Sequence, residues 1–166
     1  MSKESFWVLV IFFFAGISSC EKDDLCTPDQ AVTPRLIIQF KDQFNPLMAK
    51  AVPSLQVREI GATDFAPLND SGATMLSEVD SIAIPLRTND QLTSYDFLRR
   101  EDGNLDTDNI DFTYELNEEY VSRACGFRVV YENLNGILNN STWISSVVVV
   151  EPQVTNNTDI HVEIRH

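Results

Sequence analysis

Chemistry near neutral pH most often runs through imidazole, and this chain of 166 residues holds only two histidines, His161 and His166. In DIHVEIR the alternation sets Ile160, Val162 and Ile164 on one side and His161, Glu163 and Arg165 on the other. His161 is therefore expected on a solvated strand face, with a metal or ligand patch there as the alternative. No Gly-x-Ser-x-Gly elbow and no Cys-His arrangement accompanies these histidines. Carboxylates are plentiful, 25 Asp and Glu in all, and a flanking pair of them is what glycoside hydrolysis requires. Their densest run is REDGNLDTDNID, with Asp102, Asp106, Asp108 and Asp111. It has the composition of a calcium loop but not the central Gly and terminal Glu of an EF-hand at their spacing. The expected reading is a charged, flexible hairpin loop; a calcium site on Asp102, Asp106 and Asp108 is the alternative. No catalytic residue, resident metal or cofactor is assigned.

A different chemistry is written near the amino terminus. The apolar stretch from Phe6 to Ile17 is shorter than the roughly 20 residues that span a bilayer, and it suits the centre of an export signal. Its continuous apolar residues leave no polar face for a surface helix. The stretch ends in Ile17-Ser18-Ser19-Cys20, which resembles the bacterial lipobox: two small residues admit a peptidase to the backbone, and the thiol is acylated. That resemblance implies lipidation at Cys20, with acyl chains contributing about 0.8 kcal/mol per buried methylene. Glu21, Lys22, Asp23 and Asp24 follow directly, resembling the surface-export signal of some Gram-negative lipoproteins; a wet, unpacked tether is the alternative. With Glu at position 21, the outer membrane is expected over the inner, with display at the cell surface.

An exported chain folds under oxidising conditions, so the remaining cysteines, Cys26 and Cys125, are expected to form a disulfide. Closing a loop of about 100 residues is worth roughly 4.7 kcal/mol of chain entropy before strain is subtracted. Free thiols or a metal pair are the alternatives, but no companion ligand stands at a zinc-like spacing. The net charge of −13 disfavours nucleic acid, whose binding depends on Lys and Arg meeting phosphates. Anionic lipid is disfavoured on the same grounds, which leaves attachment to the anchor.

The elements that must carry these residues read as strands. Alternation recurs in RLIIQFK, SLQVREI, DSIAIPLRT, TSYDFLR, NIDFTYELN, ACGFRVVYE, SSVVVVE and DIHVEIR. Ile110, Phe112, Tyr114 and Leu116 share one face, as do Cys125, Phe127, Val129 and Tyr131, and both faces are expected in one core. Pro85 cannot donate to a ladder, so its strand belongs at an edge or a bulge. Turns are expected at Glu101 to Asn104, at Asn135-Gly136 and at the Asn-rich stretches near 139 and 156. The pattern predicts an all-β antiparallel sandwich of seven or eight strands, immunoglobulin-like or transthyretin-like in connectivity. Residues 1–19 read as the cleaved signal, 20–33 as the lipidated tether and 34–166 as a single sandwich domain.

Three smaller features bear on ligands. Trp143, after a polar run, is expected in the core, with a sugar-stacking platform as the alternative. Asp80-Ser81-Ile82 resembles the acceptor of a bacterial O-glycosylation system; a strand start is the plainer reading. The Asn-x-Ser/Thr triplets recur in Asn-rich turns and decide nothing.

Taken together, CEKDDLC, TPRLIIQF, DSIAIPLRT, YVSRACGF, WISSVVVVEPQV and IHVEI resemble an uncharacterised family of small Gram-negative lipoproteins, a domain of unknown function. The resemblance spans nearly the whole mature chain and implies lipid anchoring and an all-β fold, with no activity attached. The expected role is a non-enzymatic binding or assembly module at the outer membrane, meeting an unidentified protein or glycan. The alternatives are a small carboxylate-dependent enzyme acting on glycans, or a periplasm-facing accessory of an envelope complex.

Overall fold

The structure, a computed structural model, describes Cys26 and residues 32–166. The expectations for the signal and for Cys20, Glu21, Lys22, Asp23 and Asp24 lie outside the described residues. Two compact units divide the described chain: Cys26, Val32 and Tyr120–Arg128 in one, Thr33–Glu119 and Val129–His166 in the other.

The larger unit is all-β, and there is no helix among the described residues. Its four-stranded sheet runs in the order β4 (Ser81–Ile84), β1 (Leu36–Lys41), β9 (Val162–Arg165), β8 (Ser146–Val149). A five-stranded sheet runs β3 (Leu76–Val79), β2 (Val52–Glu59), β5 (Leu92–Glu101), β6 (Asn104–Ser122), β7 (Gly126–Leu138). The pairing is antiparallel between β1 and β4, β8 and β9, β2 and β3, β2 and β5, and β5 and β6. The exception is β1 with β9, which pair in parallel, Ile38 opposite Val162 and Phe40 opposite Ile164. Both sheets face one core. Leu36, Ile38, Phe40, Val162 and Ile164 come from one side and Leu55, Val57, Phe97, Ile110 and Phe112 from the other, all fully buried. That is the expected sandwich, with a ninth strand: β3 pairs along β2 but none of its residues is fully buried, so its alternation carries no strong apolar signal.

Pro85 follows β4, which is an edge strand as its missing donor requires. From there the chain crosses to the other sheet, and three tyrosines hold the crossing. Tyr95 donates its hydroxyl to Pro85 O at 2.6 Å, Tyr131 to Leu86 O at 3.1 Å and Tyr114 to Arg87 O at 3.0 Å. Thr93 Oγ1 accepts from the Arg87 N–H and lies 2.6 Å from the Tyr114 hydroxyl. Buried phenols need partners and a sheet-to-sheet crossing needs its carbonyls satisfied, so each meets the other's requirement. Burial raises the pKa of all three tyrosines, which keeps the hydroxyls protonated as donors.

Several expectations are corrected. Asn135-Gly136 is not a turn but lies inside β7. A Cβ on Gly136 would stand 2.9 Å from Val147 Cγ1 of β8, so glycine serves there for close approach of the two sheets. The charged stretch after Arg100 is not a flexible loop: Asp102 and Gly103, at φ 50° and 82°, make a two-residue turn, and β6 resumes at Asn104. Phe127 does not join the core with Tyr131. Val130 and Tyr131 are buried in succession and Asn133 takes φ 55°, so the period slips along β7. Phe127 packs edge-on against Tyr120 within the smaller unit. His161 is not solvated but fully buried, whereas Ile160 is 37% exposed. β9 begins only at Val162, and His161 Nδ1 accepts the Ile37 N–H at 3.0 Å, standing in for a ladder carbonyl where the parallel pair starts.

Candidate interaction surface

Between β1 and β2 the alternation stops, and the chain folds a loop around one carboxylate. Asp42 Oδ1 accepts the N–H groups of Phe44 at 2.8 Å and Asn45 at 2.9 Å. Asp is suited to this because its short side chain reaches donors two and three residues ahead. Those donors, Asn45's foremost, hold the Asp42 carboxyl below its ordinary pKa. Met48 N donates to Asn45 O at 2.9 Å, Asp42 N donates to Met48 O at 3.0 Å, and Lys41 bridges to Ala49.

The base of the loop is fixed by His166. Its carbonyl accepts from Gln43 N at 3.1 Å and from Lys50 Nζ at 2.9 Å, and its N–H donates to Lys41 O at 3.1 Å. The ring sits edge-on to Phe40 and Trp143, with centroids 6.1 and 5.4 Å away, and its Nε2 lies 3.2 Å from Lys50 O. Burial lowers its pKa, against a weaker opposing pull from that carbonyl.

With backbone polar groups turned into the loop, the side chains turn outward. Phe44 is 88% exposed, Leu47 92% and Met48 60%. Three large apolar side chains on an ordered loop, with backbone hydrogen bonds already made, can bury area against another surface at small entropic cost.

One family model matches residues 55–166. The chain belongs to this family of unknown function (DUF6452). No curated protein and no solved structure matches the chain. In this DUF6452 member the Asp42–Met48 loop precedes the matched stretch, whereas Asp108, Cys125 and both histidines fall within it.

The expected site residues are placed as follows. Cys26 and Cys125 form a disulfide, with Cα atoms 5.0 Å apart. The proposed calcium set does not converge. Asp102 occupies the β5–β6 turn, Asp106 pairs with Arg99 at 2.8 Å, and Asp108 is fully buried. The Asp108 carboxylate accepts from Thr142 N at 2.6 Å, Trp143 N at 2.9 Å and Ile144 N at 2.6 Å, and also from the Thr142 hydroxyl. Its oxygens are thus spent on the loop before β8, not turned toward a cation. Asp111 accepts from Ser94. No group of three or more His, Cys, Asp or Glu among the described residues is arranged to hold a metal ion.

Trp143 is buried as expected; its Nε1 donates to Phe97 O at 3.2 Å, and Arg99 stacks on its ring. Ser81 is exposed at the start of β4 and lines a shallow depression of about 200 Å³ with Ile37, Leu68, Asn69, Asp70, Ile82 and Ala83. That volume is below the roughly 300 Å³ at which small-molecule pockets begin. Sequence reasoning missed Phe44, Leu47 and Met48. The available signal was FNPLM itself, apolar residues around an Asn-Pro turn where no strand pattern runs.

Proposed function

We propose that this protein is an outer-membrane lipoprotein, anchored through Cys20, that acts without covalent chemistry as a docking module for an envelope protein. The observation that carries the reading is the ordered loop presenting Phe44, Leu47 and Met48 to solvent. Burying each such side chain in a partner would contribute about 1.5–3 kcal/mol. A protein surface suits these residues better than a glycan, since sugars stack on an aromatic face rimmed by polar groups and Leu47 and Met48 provide neither. The anchor rests on the apolar stretch ending in Ile17-Ser18-Ser19-Cys20, and surface display rests on Glu21, Lys22, Asp23 and Asp24.

A glycan-active enzyme is the opposing reading. Many carboxylates it would need have structural partners: Asp106 with Arg99, Asp96 with Arg58, Glu59 with Arg87. Photo-crosslinking in living cells tests the proposal, with the crosslinker at position 44 or 47 and, as a control, at Asp102. A reproducible adduct from the loop positions alone is expected. Equal labelling from all three positions, or glycan turnover abolished by a single Asp or Glu substitution with the fold intact, would overturn it. Protease applied to whole cells distinguishes surface display from a periplasm-facing accessory.

A further inference from the structure

A sheet edge invites another strand wherever its outer row of N–H and C=O groups is unpaired, and proteins ordinarily blunt such edges. The two sheets here end in β4, β8, β3 and β7. Three of these carry a blunting device. In β4 the N–H of Ala83 is taken by Leu68 O at 2.8 Å, and Pro85 follows the strand. In β3, only four residues long, Glu78 kinks the backbone at φ 51°. Along β7, Tyr131 exchanges both backbone bonds with Val154, at 3.2 and 2.8 Å, and Leu134 N donates to Pro152 O at 3.0 Å.

The edge of β8 has no such device. Val150 N donates to His161 O at 2.9 Å, and the alternation of an antiparallel ladder then makes Val148–Glu163 and Ser146–Arg165 the hydrogen-bonded pairs. The N–H and C=O groups of Val147 and Val149 therefore point away from β9, where no described residue meets them. Residues 145–150 read SSVVVV, without a charge, a proline or a glycine, in a chain of net charge −13. The four residues of β8 are half-buried and Val150 is 48% exposed. This edge adjoins the docking loop. Ser145 Oγ donates to Gln43 Oε1 at 2.6 Å, and Gln43 N donates to His166 O at 3.1 Å, so the loop that presents Phe44 reaches over the end of β9 to the residue before β8.

We propose that the partner docked by Phe44, Leu47 and Met48 also lays an extended segment along β8, adding a strand to the four-stranded sheet through Val147 and Val149. The added strand rests on the docking reading above and names the form in which the partner arrives. Backbone bonds give such a contact affinity, and alternate side chains give it selectivity. Beside Val148 and Val150 the incoming segment is uncharged and β-branched or aliphatic. A second copy suits the edge less well. Two chains of charge −13 repel each other, and two-fold pairing through β8 would set their loops at opposite ends of the shared ladder.

The test uses the full chain in living cells, with a photo-crosslinker at position 47 and, separately, at position 148. Adducts to one and the same protein are expected from both. Val147→Pro removes an N–H that β9 does not use, and it is expected to cut the position-47 adduct about tenfold. In the purified adduct, amide exchange at Val147 and Val149 is expected to slow about tenfold relative to the free chain. A position-47 adduct that survives Val147→Pro, with those amides unprotected, overturns the added strand and leaves the docking loop standing. No adduct at position 47 overturns the docking reading and this inference with it. An adduct from position 148 with twice the mass of the chain assigns the edge to a second copy and overturns the partner strand. Should Val147→Pro fail to fold, Val148→Lys places a charge on the same edge and gives the same readout.

Discussion

Two loops of the larger unit are organised by the same device with opposite results. In each, an aspartate accepts consecutive backbone N–H groups: Asp42 those of Phe44 and Asn45, Asp108 those of Thr142, Trp143 and Ile144. Asp42 is half-buried and reaches donors in its own loop. Its ring of hydrogen bonds leaves Phe44, Leu47 and Met48 outside. Asp108 is buried and reaches donors more than 30 residues away in sequence, and its loop tucks Trp143 and Ile144 into the core. The bond type does not decide which way a loop's side chains face. What decides it is whether the acceptor belongs to the loop or to the sheet beneath it.

The largest effect is expected from breaking the buried clasp. Asp108→Ala leaves three backbone donors without their acceptor, and an unsatisfied buried donor costs about 1–3 kcal/mol. A loss of roughly 3 kcal/mol or more is expected, lowering the melting temperature by on the order of 10 °C. A shift of only a degree or two would show that water replaces the carboxylate at no cost. Asp108→Asn keeps one acceptor oxygen but turns an NH₂ toward donors, so an intermediate loss is expected by the same melting experiment.

The next prediction separates the regions by pH. His161 accepts from Ile37 N through Nδ1, which requires that nitrogen to be unprotonated. Burial lowers its pKa below the ordinary 6.5, the nearby Asp159 and Glu151 pulling weakly the other way. His166 is shifted in the same direction. A folded-state pKa below the unfolded one means that the unfolded chain binds the proton first as pH falls. Stability is therefore full above about pH 6.5 and declines as pH drops toward the folded-state values. Asp42, whose pKa lies below the ordinary 3.8, contributes in a separate window, lost only as pH falls below that value. Denaturant midpoints across pH 4–7 should slope downward with acid, and His161→Asn, which keeps an acceptor without titrating, should make the slope shallower. A flat profile would remove histidine from the account.

The smallest effect is expected at the exposed loop. Asp42→Ala should scarcely move the melting temperature, while amide exchange at Phe44 and Asn45 quickens because their acceptor is gone. If Phe44, Leu47 and Met48 serve docking, the same variant should weaken loop crosslinks in cells by loosening the presentation. Unchanged exchange would mean that the backbone bonds at Met48 suffice to order the loop.

How much of this was readable follows the range of each interaction. Strand identity was visible in Leu36, Ile38 and Phe40 or in Ile110, Phe112 and Tyr114, because one buried face imposes period two on neighbouring residues. The edge position of β4 was visible in Pro85, and the tight turn at 101 to 104 in its Asp-Gly. Asp108 read as one acid among several, since its partners lie on a distant loop. Gly136 read as a turn because its reason, Val147 on the opposing sheet, is a neighbour only in space.

The chain by itself therefore determined the local things: an all-β pattern, the tight turn at 101 to 104, a cysteine pair with one simple pairing, and an apolar stretch leading to Cys20. Tertiary structure alone decided that β1 and β9 pair in parallel, that His161 replaces a ladder carbonyl, that three tyrosines hold Pro85 to Arg87, and which acids are buried. The physical reason is that propensity and periodicity act between residues near in sequence. A buried polar group, by contrast, takes whatever partner the packed sheets bring within about 3 Å, from anywhere in the chain.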